Sequence, residues 1–123
     1  MRILLTHSTL DWLTEARMLW TGASPIFEGH KIDHFIIELD QVETLRDRLN
    51  DKLNESSPDV VILHGGIAFD RNPDAFVDAV NEVIEQHPSI TFIPTAQLLK
   101  RNDLKGERSL HKDMEYVISY LLH

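Results

Sequence analysis

A histidine near the start of the chain has the surroundings that phosphoryl chemistry needs. His7 follows the apolar run 3–5 and is followed by Ser8 and Thr9, and a helical pattern begins near Leu10. A neutral imidazole attacks phosphorus, and the free N–H groups of a helix N-terminus hold the transferred group. We predict His7 as a catalytic residue, with Ser8 and Thr9 binding the anion. The alternative is a capped helix beside a partly buried histidine.

A second polar segment, 64–66, interrupts the apolar run 59–63. Gly65 and Gly66 let the backbone approach an anion closely and offer it N–H groups, so we predict both as binding residues. His64 would orient His7, bind the anion as an imidazolium, or simply end a buried strand. We predict it as a second catalytic residue, with the structural role left open.

Carboxylates and other histidines offer further chemistry. Asp11 and Asp70 are the acids nearest to the two polar segments, and either would orient an imidazole or lie in solvent. Asp70 is included among the predicted binding residues. Of the seven histidines, only His30 and His34 stand four apart, and they fall where a loop meets a strand. With no HExxH motif and no cysteine, we predict no metal site.

The elements that must position these residues alternate regularly. Apolar runs predict strands at 2–6, 34–39, 59–63 and 90–93, and helical spacing predicts helices near 10–22, 40–53, 73–84 and 109–121. This order favours parallel strands with right-handed crossovers and helices on both faces. We predict an open, doubly wound α/β sheet of flavodoxin-like type, with strand order 2-1-3-4 and a C-terminal helix. Strands 1 and 3 are then neighbours, and the two polar segments meet at their carboxyl ends, where such sheets bind ligands.

Local patterns refine three of these elements. Asp40 and Glu43 form a capping-box pattern at the start of the second helix. Its apolar residues form a narrow stripe that we predict to be core: Val42, Leu45, Leu49 and Leu53. Pro73 opens the third helix, a helical turn is expected at 97–100, and the polar stretch 102–108 is expected to be a loop.

Size and charge limit the classes of protein to which the chain can belong. At 123 residues, we expect a single domain spanning 1–123. Twelve basic against 20 acidic residues give a net charge of −8, which opposes nucleic-acid binding but suits a basic protein partner. No stretch approaches 18 apolar residues and no signal peptide is indicated, so we expect no membrane insertion and a cytoplasmic location.

Taken together, these segments resemble the mannose-type IIA domain of the bacterial sugar phosphotransferase system. The related phosphotransfer subunit of dihydroxyacetone kinases has the same features. The family begins with a strand, a Ser- or Thr-His pair and a helix, and its third strand ends in a Gly-Gly-x-x-Phe segment. The matching residues here are Ile3-Leu4-Leu5-Thr6-His7-Ser8, Gly65-Gly66-Ile67-Ala68-Phe69 and, after strand 2, Glu43-Thr44-Leu45.

The resemblance implies a phosphohistidine carrier. In the family, the strand-1 histidine takes a phosphoryl group from the carrier HPr and passes it to a IIB partner or a kinase subunit. Carried over, His7 is the phosphoacceptor and no cofactor is needed. Family analogy also favours a homodimer through apolar surface near Phe69, the fourth strand or the C-terminal helix, because residues 67–69 are expected in a loop without a core role.

A noncatalytic module on the same fold is the alternative function. The family has an Asp at the end of strand 3, where this chain has Ile62, Leu63 and His64. A weaker resemblance, to response-regulator receiver domains, is carried by the segments 2–5, 58–63 and 93–96. Receivers need an acidic pair where this chain has His7 and Ser8, so this comparison implies a pseudo-receiver that only binds partners. The chain is therefore a phosphotransferase component if active, and a regulatory or interaction module if not.

Overall fold

The computed structural model describes residues 2–8, 29–37, 42–64, 66–94, 98 and 100–106. The elements are β1 (Arg2–Ser8), β2 (Lys31–Ile37), a 3₁₀ turn (Val42–Thr44), α1 (Leu45–Ser56), β3 (Val60–Leu63), α2 (Gly66–Arg71), α3 (Pro73–Gln86) and β4 (Thr91–Pro94). All strand pairs are parallel, and the sheet order is β2-β1-β3-β4. This confirms the predicted flavodoxin-like α/β sheet. The helices expected near 10–22 and 109–121 lie outside the described residues.

The main core lies between one face of the sheet and the described helices. Leu4, Val61 and Phe92 contribute from the strands, and Leu49 and Phe76 contribute from α1 and α3. The predicted stripe of the second helix is buried at every position: Val42, Leu45, Leu49 and Leu53. Apolar residues at helical spacing were therefore a reliable guide to the buried face.

The opposite face of the sheet is buried as well. Ile3 and Leu5 alternate with Leu4 along β1, and Val60 and Ile62 alternate with Val61 along β3; all six are buried. Because side chains on a strand point alternately to the two faces, both faces of these central strands are covered. This explains why their sequences are continuously apolar, as is typical of parallel sheets.

The bounds of β1 and β2 differ from the predicted ones. β1 runs to Ser8 rather than ending at Thr6, and the predicted strand 34–39 begins at Lys31, with its described part ending at Ile37. The physical reason is that these two strands pair with each other over seven residues, from Arg2–Lys31 to Ser8–Ile37. Backbone pairing thus extends each strand through polar residues that the apolar pattern excluded.

Polar contacts join α1 to α3 on the outside of the core. Arg46 donates to Glu82 across 2.9 Å, and Asn50 donates to Gln86 across 2.8 Å. The His87 ring then donates from Nε2 to the side-chain oxygen of Asn50 across 2.9 Å. These contacts fix the two helices relative to each other over the core. The α-helix begins at Leu45 after a 3₁₀ turn, and Asp40 of the predicted capping box lies outside the described residues.

The segment 101–106 is fastened to α3. Asn81 donates from its amide to the carbonyl oxygen of Asp103 at 2.9 Å and accepts from the backbone N–H of Lys105 at 2.7 Å. Arg101 also pairs with Asp103, and its hydrogen bond holds the pKa of that carboxyl below its usual value. The predicted loop is confirmed over its described part, and Leu98 and Lys100 lie in the expected helical turn. Among the described residues, no helix has the length and apolar character needed to cross a membrane.

Candidate functional site

β1 and β3 end side by side at the carboxyl edge of the sheet. Their register pairs Leu5 with Ile62, and β1 continues beyond this pair. Extending the register by two residues brings the backbone of His7 level with that of His64. The His64 N–H lies 2.9 Å from the Thr6 side chain, which places His64 beside the residue that precedes His7. The described residues of the two polar segments therefore lie close together, as predicted.

A buried hydroxyl joins these two strand ends. Thr6 is 0% exposed, and its Oγ1 donates to the carbonyl oxygen of Ile62 at 3.0 Å. The same oxygen accepts from the backbone N–H of His64 at 2.9 Å. A carbonyl oxygen can only accept and an amide N–H can only donate, so both roles of the hydroxyl are fixed. Thr6 therefore fastens the first residue after β3 to β1.

His64 lies between β3 and α2 in a half-buried position. Its Nδ1 atom is buried inside the protein. This placement fits an imidazole that supports a neighbouring group, and it fits equally the structural role of ending a buried strand.

The remaining predicted site residues are only partly described. Gly66 is the first residue of α2, and Asp70 is exposed on the same short helix. The other predictions fall on Thr9, Asp11, Gly65 and the side chains of His7 and Ser8, all outside what the structure describes. For the described residues, the edge of the sheet thus brings together the backbone of His7, the bridging Thr6 and His64.

The prediction that residues 67–69 lie in a loop without a core role is wrong for Ala68 and Phe69, whose side chains the structure describes. Residues 66–71 form α2, in which Ala68 is 0% and Phe69 is 8% exposed. The Phe69 ring packs edge-on against Phe76 in α3, with 5.7 Å between ring centroids. Ala68 and Phe69 therefore belong to the core, because α2 folds back over the sheet. The homodimer stays a prediction, but these two side chains no longer support it.

A cavity of about 360 Å³ lies at the opposite end of the sheet from His64. It is found where β1 and β2 begin and α1 ends, and its lining residues are Arg2, Ile3, Lys31, Ile32, Asp33, Glu55, Ser56 and Pro58. Ligands of parallel α/β sheets bind beyond the carboxyl ends of the strands. This cavity lies at their amino ends, so we do not assign it to the chemistry predicted for His7.

Within the described ranges, no cluster of three or more histidine or acidic side chains is arranged to hold a metal ion. No protein-family model matches the chain, no curated protein matches it, and no solved structure matches it.

One residue of this site was missed by the sequence analysis. Thr6 was included only as part of the Thr-His pair and was given no role of its own. The available signal was its position: a hydroxyl residue placed at the end of an apolar strand, immediately before the candidate nucleophile. A buried hydroxyl needs hydrogen-bond partners, and the end of a neighbouring strand supplies them.

Proposed function

We propose that this chain is a phosphohistidine carrier in which His7 accepts a phosphoryl group from a phosphorylated protein of the HPr type. A nitrogen of the neutral His7 ring attacks the donor phosphorus. The new N–P bond forms at His7 as the N–P bond of the donor histidine breaks, and one proton passes from the His7 ring to the released donor ring. The group is then passed to a IIB or kinase partner by the same exchange.

The observation that supports this proposal best is the junction of the two strand ends. The Thr6 hydroxyl, in the residue before His7, holds the end of β3 and His64 against β1 through bonds of 3.0 and 2.9 Å. A transfer site of this kind works by positioning and by stabilising charge, so a fixed edge is what it requires. The net charge of −8 also suits a donor or acceptor protein with a basic surface.

A noncatalytic interaction module remains the second candidate, and a specific observation favours it. Where the resembling family has an Asp near the end of strand 3, this chain has Ile62 and Leu63, which are both buried and apolar. A carboxylate that orients the reactive tautomer of His7 is therefore missing from β3. In the carrier hypothesis, His64 takes over part of that function as a neighbouring imidazole.

The proposal is tested by incubating the chain with phosphorylated HPr and measuring its phosphate content by intact-protein mass spectrometry. We expect one phosphoryl group that is stable in base and lost in acid, which is the signature of phosphohistidine. His7→Ala should abolish the uptake, whereas His64→Ala should slow it. His30→Ala is the matched control, because His30 precedes β2 at the amino end of the sheet, and uptake should be unchanged.

Two results would refute the carrier function. The first is absence of acid-labile phosphate under conditions that label a known IIA domain. The second is undiminished labelling of His7→Ala, which would mean that another histidine reacts. Either result would leave the interaction module as the better description.

A further inference from the structure

We infer that Thr6 is a positioning residue for phosphoryl transfer, acting by holding the backbone of His64 beside His7. This inference rests on the proposed function and adds to it a residue that does not itself react. The evidence is the pair of hydrogen bonds at 3.0 and 2.9 Å between Thr6 Oγ1 and the backbone of Ile62 and His64.

The burial of Thr6 indicates that its hydroxyl has a specific task. Among the described residues, Thr6 is the one polar side chain that is buried. Leu5 before it in β1 and Ile62 and Leu63 in β3 are buried and aliphatic, and a valine would have nearly the same shape as Thr6. Burying a hydroxyl is unfavourable unless its hydrogen bonds are made, and here both are made to backbone groups of one neighbouring segment.

The two bonded groups show what the hydroxyl does for the sheet. The backbone register of β1 with β3 is recorded from Ile3–Val60 to Leu5–Ile62. A residue of a parallel strand normally binds a carbonyl and an amide that are two residues apart on its neighbour. Thr6 Oγ1 binds just such a pair, at Ile62 and His64. The side chain thus extends the junction past the end of β3 and reaches the first residue of the following loop.

The same geometry excludes a direct role for Thr6 in binding the phosphoryl group. Its proton points to the Ile62 carbonyl and its lone pair receives the His64 N–H, so no donor is left for an anion. Its effect must therefore pass through the position of His64. Loss of the hydroxyl should release that residue from β1 and slow transfer at His7, while the nucleophile itself is unchanged.

The experiment compares Thr6→Val, which keeps the shape, with Thr6→Ser, which keeps the hydroxyl. Hydrogen exchange of the His64 amide, followed by NMR, reports whether the His64 N–H is held in its hydrogen bond. This measurement does not require the protein to be active. We expect exchange to be roughly tenfold faster in Thr6→Val, as for the loss of one hydrogen bond. We expect the initial rate of phosphate uptake from phosphorylated HPr to fall by about tenfold to a hundredfold. Thr6→Ser should retain both properties.

A stability control separates positioning from general loosening of the fold. Leu49→Val removes a methylene from the core under α1, and we expect it to lower stability while leaving the uptake rate and the His64 amide unchanged. A slow uptake shared equally by Leu49→Val and Thr6→Val would overturn the inference. So would a Thr6→Ser variant that takes up phosphate as slowly as Thr6→Val. If Thr6→Val does not fold, a folded Thr6→Ser variant that is about tenfold slower than the unsubstituted chain would overturn the inference.

Failure of the carrier function and failure of the role of Thr6 give different results. If the unsubstituted chain takes up no phosphate, the proposed function is wrong, and the His64 amide still reports whether Thr6 holds that residue. If the chain takes up phosphate and Thr6→Val does so at the same rate, the carrier function stands and Thr6 is not a positioning residue. Unchanged exchange of the His64 amide in Thr6→Val would also refute the inference.

Discussion

Gly106 is the position where a single added carbon should be most informative about the packing of the segment 101–106. Its φ is +116°, a conformation that residues with a side chain rarely adopt. A Cβ built there would lie 2.9 Å from the carbonyl oxygen of Phe92 in β4 and 3.4 Å from the Phe92 Cβ. Since the closest atom belongs to the backbone of a strand, no side-chain rotation can relieve the contact.

We expect Gly106→Ala to destabilise the protein by about 3 kcal/mol. The unfavourable φ accounts for about 1–2 kcal/mol of this value, and the close contact accounts for a further 1–2 kcal/mol, as in other overpacked sites. Relief by movement is opposed on both sides. Phe92 is buried in the sheet, and the segment before Gly106 is held by the two hydrogen bonds of Asn81.

Gly29→Ala is the matched control. Gly29 also has a positive φ, +84°, but no atom of the described residues lies within 4 Å of an added Cβ. It therefore has the conformational cost without the contact, and we expect a loss of about 1 kcal/mol. The entropy that alanine removes from the unfolded chain is the same in both variants and cancels in their comparison.

Urea unfolding followed by circular dichroism measures both variants. With a slope of about 1.5 kcal/mol per M, a loss of 3 kcal/mol lowers the midpoint by about 2 M, and Gly29→Ala lowers it by less than about 1 M. The slopes should not differ, because the surface exposed on unfolding is unchanged. If the two variants lose the same stability to within about 0.5 kcal/mol, the contact with Phe92 does not destabilise Gly106→Ala and the prediction is refuted.

Two further predictions concern α1 and its contacts. Leu49→Ala should lower the free energy of unfolding, measured in urea, by about 3 kcal/mol because it leaves a cavity at a fully buried site. Asp51 is exposed on the same helix, so Asp51→Ala should change that free energy by no more than about 0.5 kcal/mol. Equal losses would contradict the assignment of Leu49 to the core. Burial raises the pKa of Asp33, but the His34 N–H and the Lys52 ammonium at 3.0 Å outweigh it and leave the pKa below its usual value. The unsubstituted protein should therefore be more stable than Asp33→Asn above the unfolded pKa of about 3.9, and this difference should disappear as the pH falls through the pKa of the folded state. Urea unfolding of both proteins at several pH values measures the difference. A difference that does not depend on pH would refute the prediction.

The sequence by itself determined the order of the described strands and part of the core. The alternation of apolar runs with helical patterns predicted parallel strands with right-handed crossovers, and the order 2-1-3-4 is that of a flavodoxin-like sheet. The stripe of Val42, Leu45, Leu49 and Leu53 was identified because its spacing matches the turn of a helix. The spacing of apolar residues is local in sequence. A helix or strand needs this spacing to bury one face, whichever element it packs against.

Contacts between distant segments were decided only by the tertiary structure. The polar start of β2 is a strand because β1 pairs with it, and Phe69 is buried because α2 folds back onto α3. The function of Thr6 has the same origin. Its hydrogen bonds reach residues 56 and 58 positions away along the chain, and no local pattern encodes partners at such a distance. A hydroxyl next to a candidate nucleophile suggests chemistry when seen in sequence, whereas in the folded protein its proton and lone pair are already engaged by the neighbouring strand.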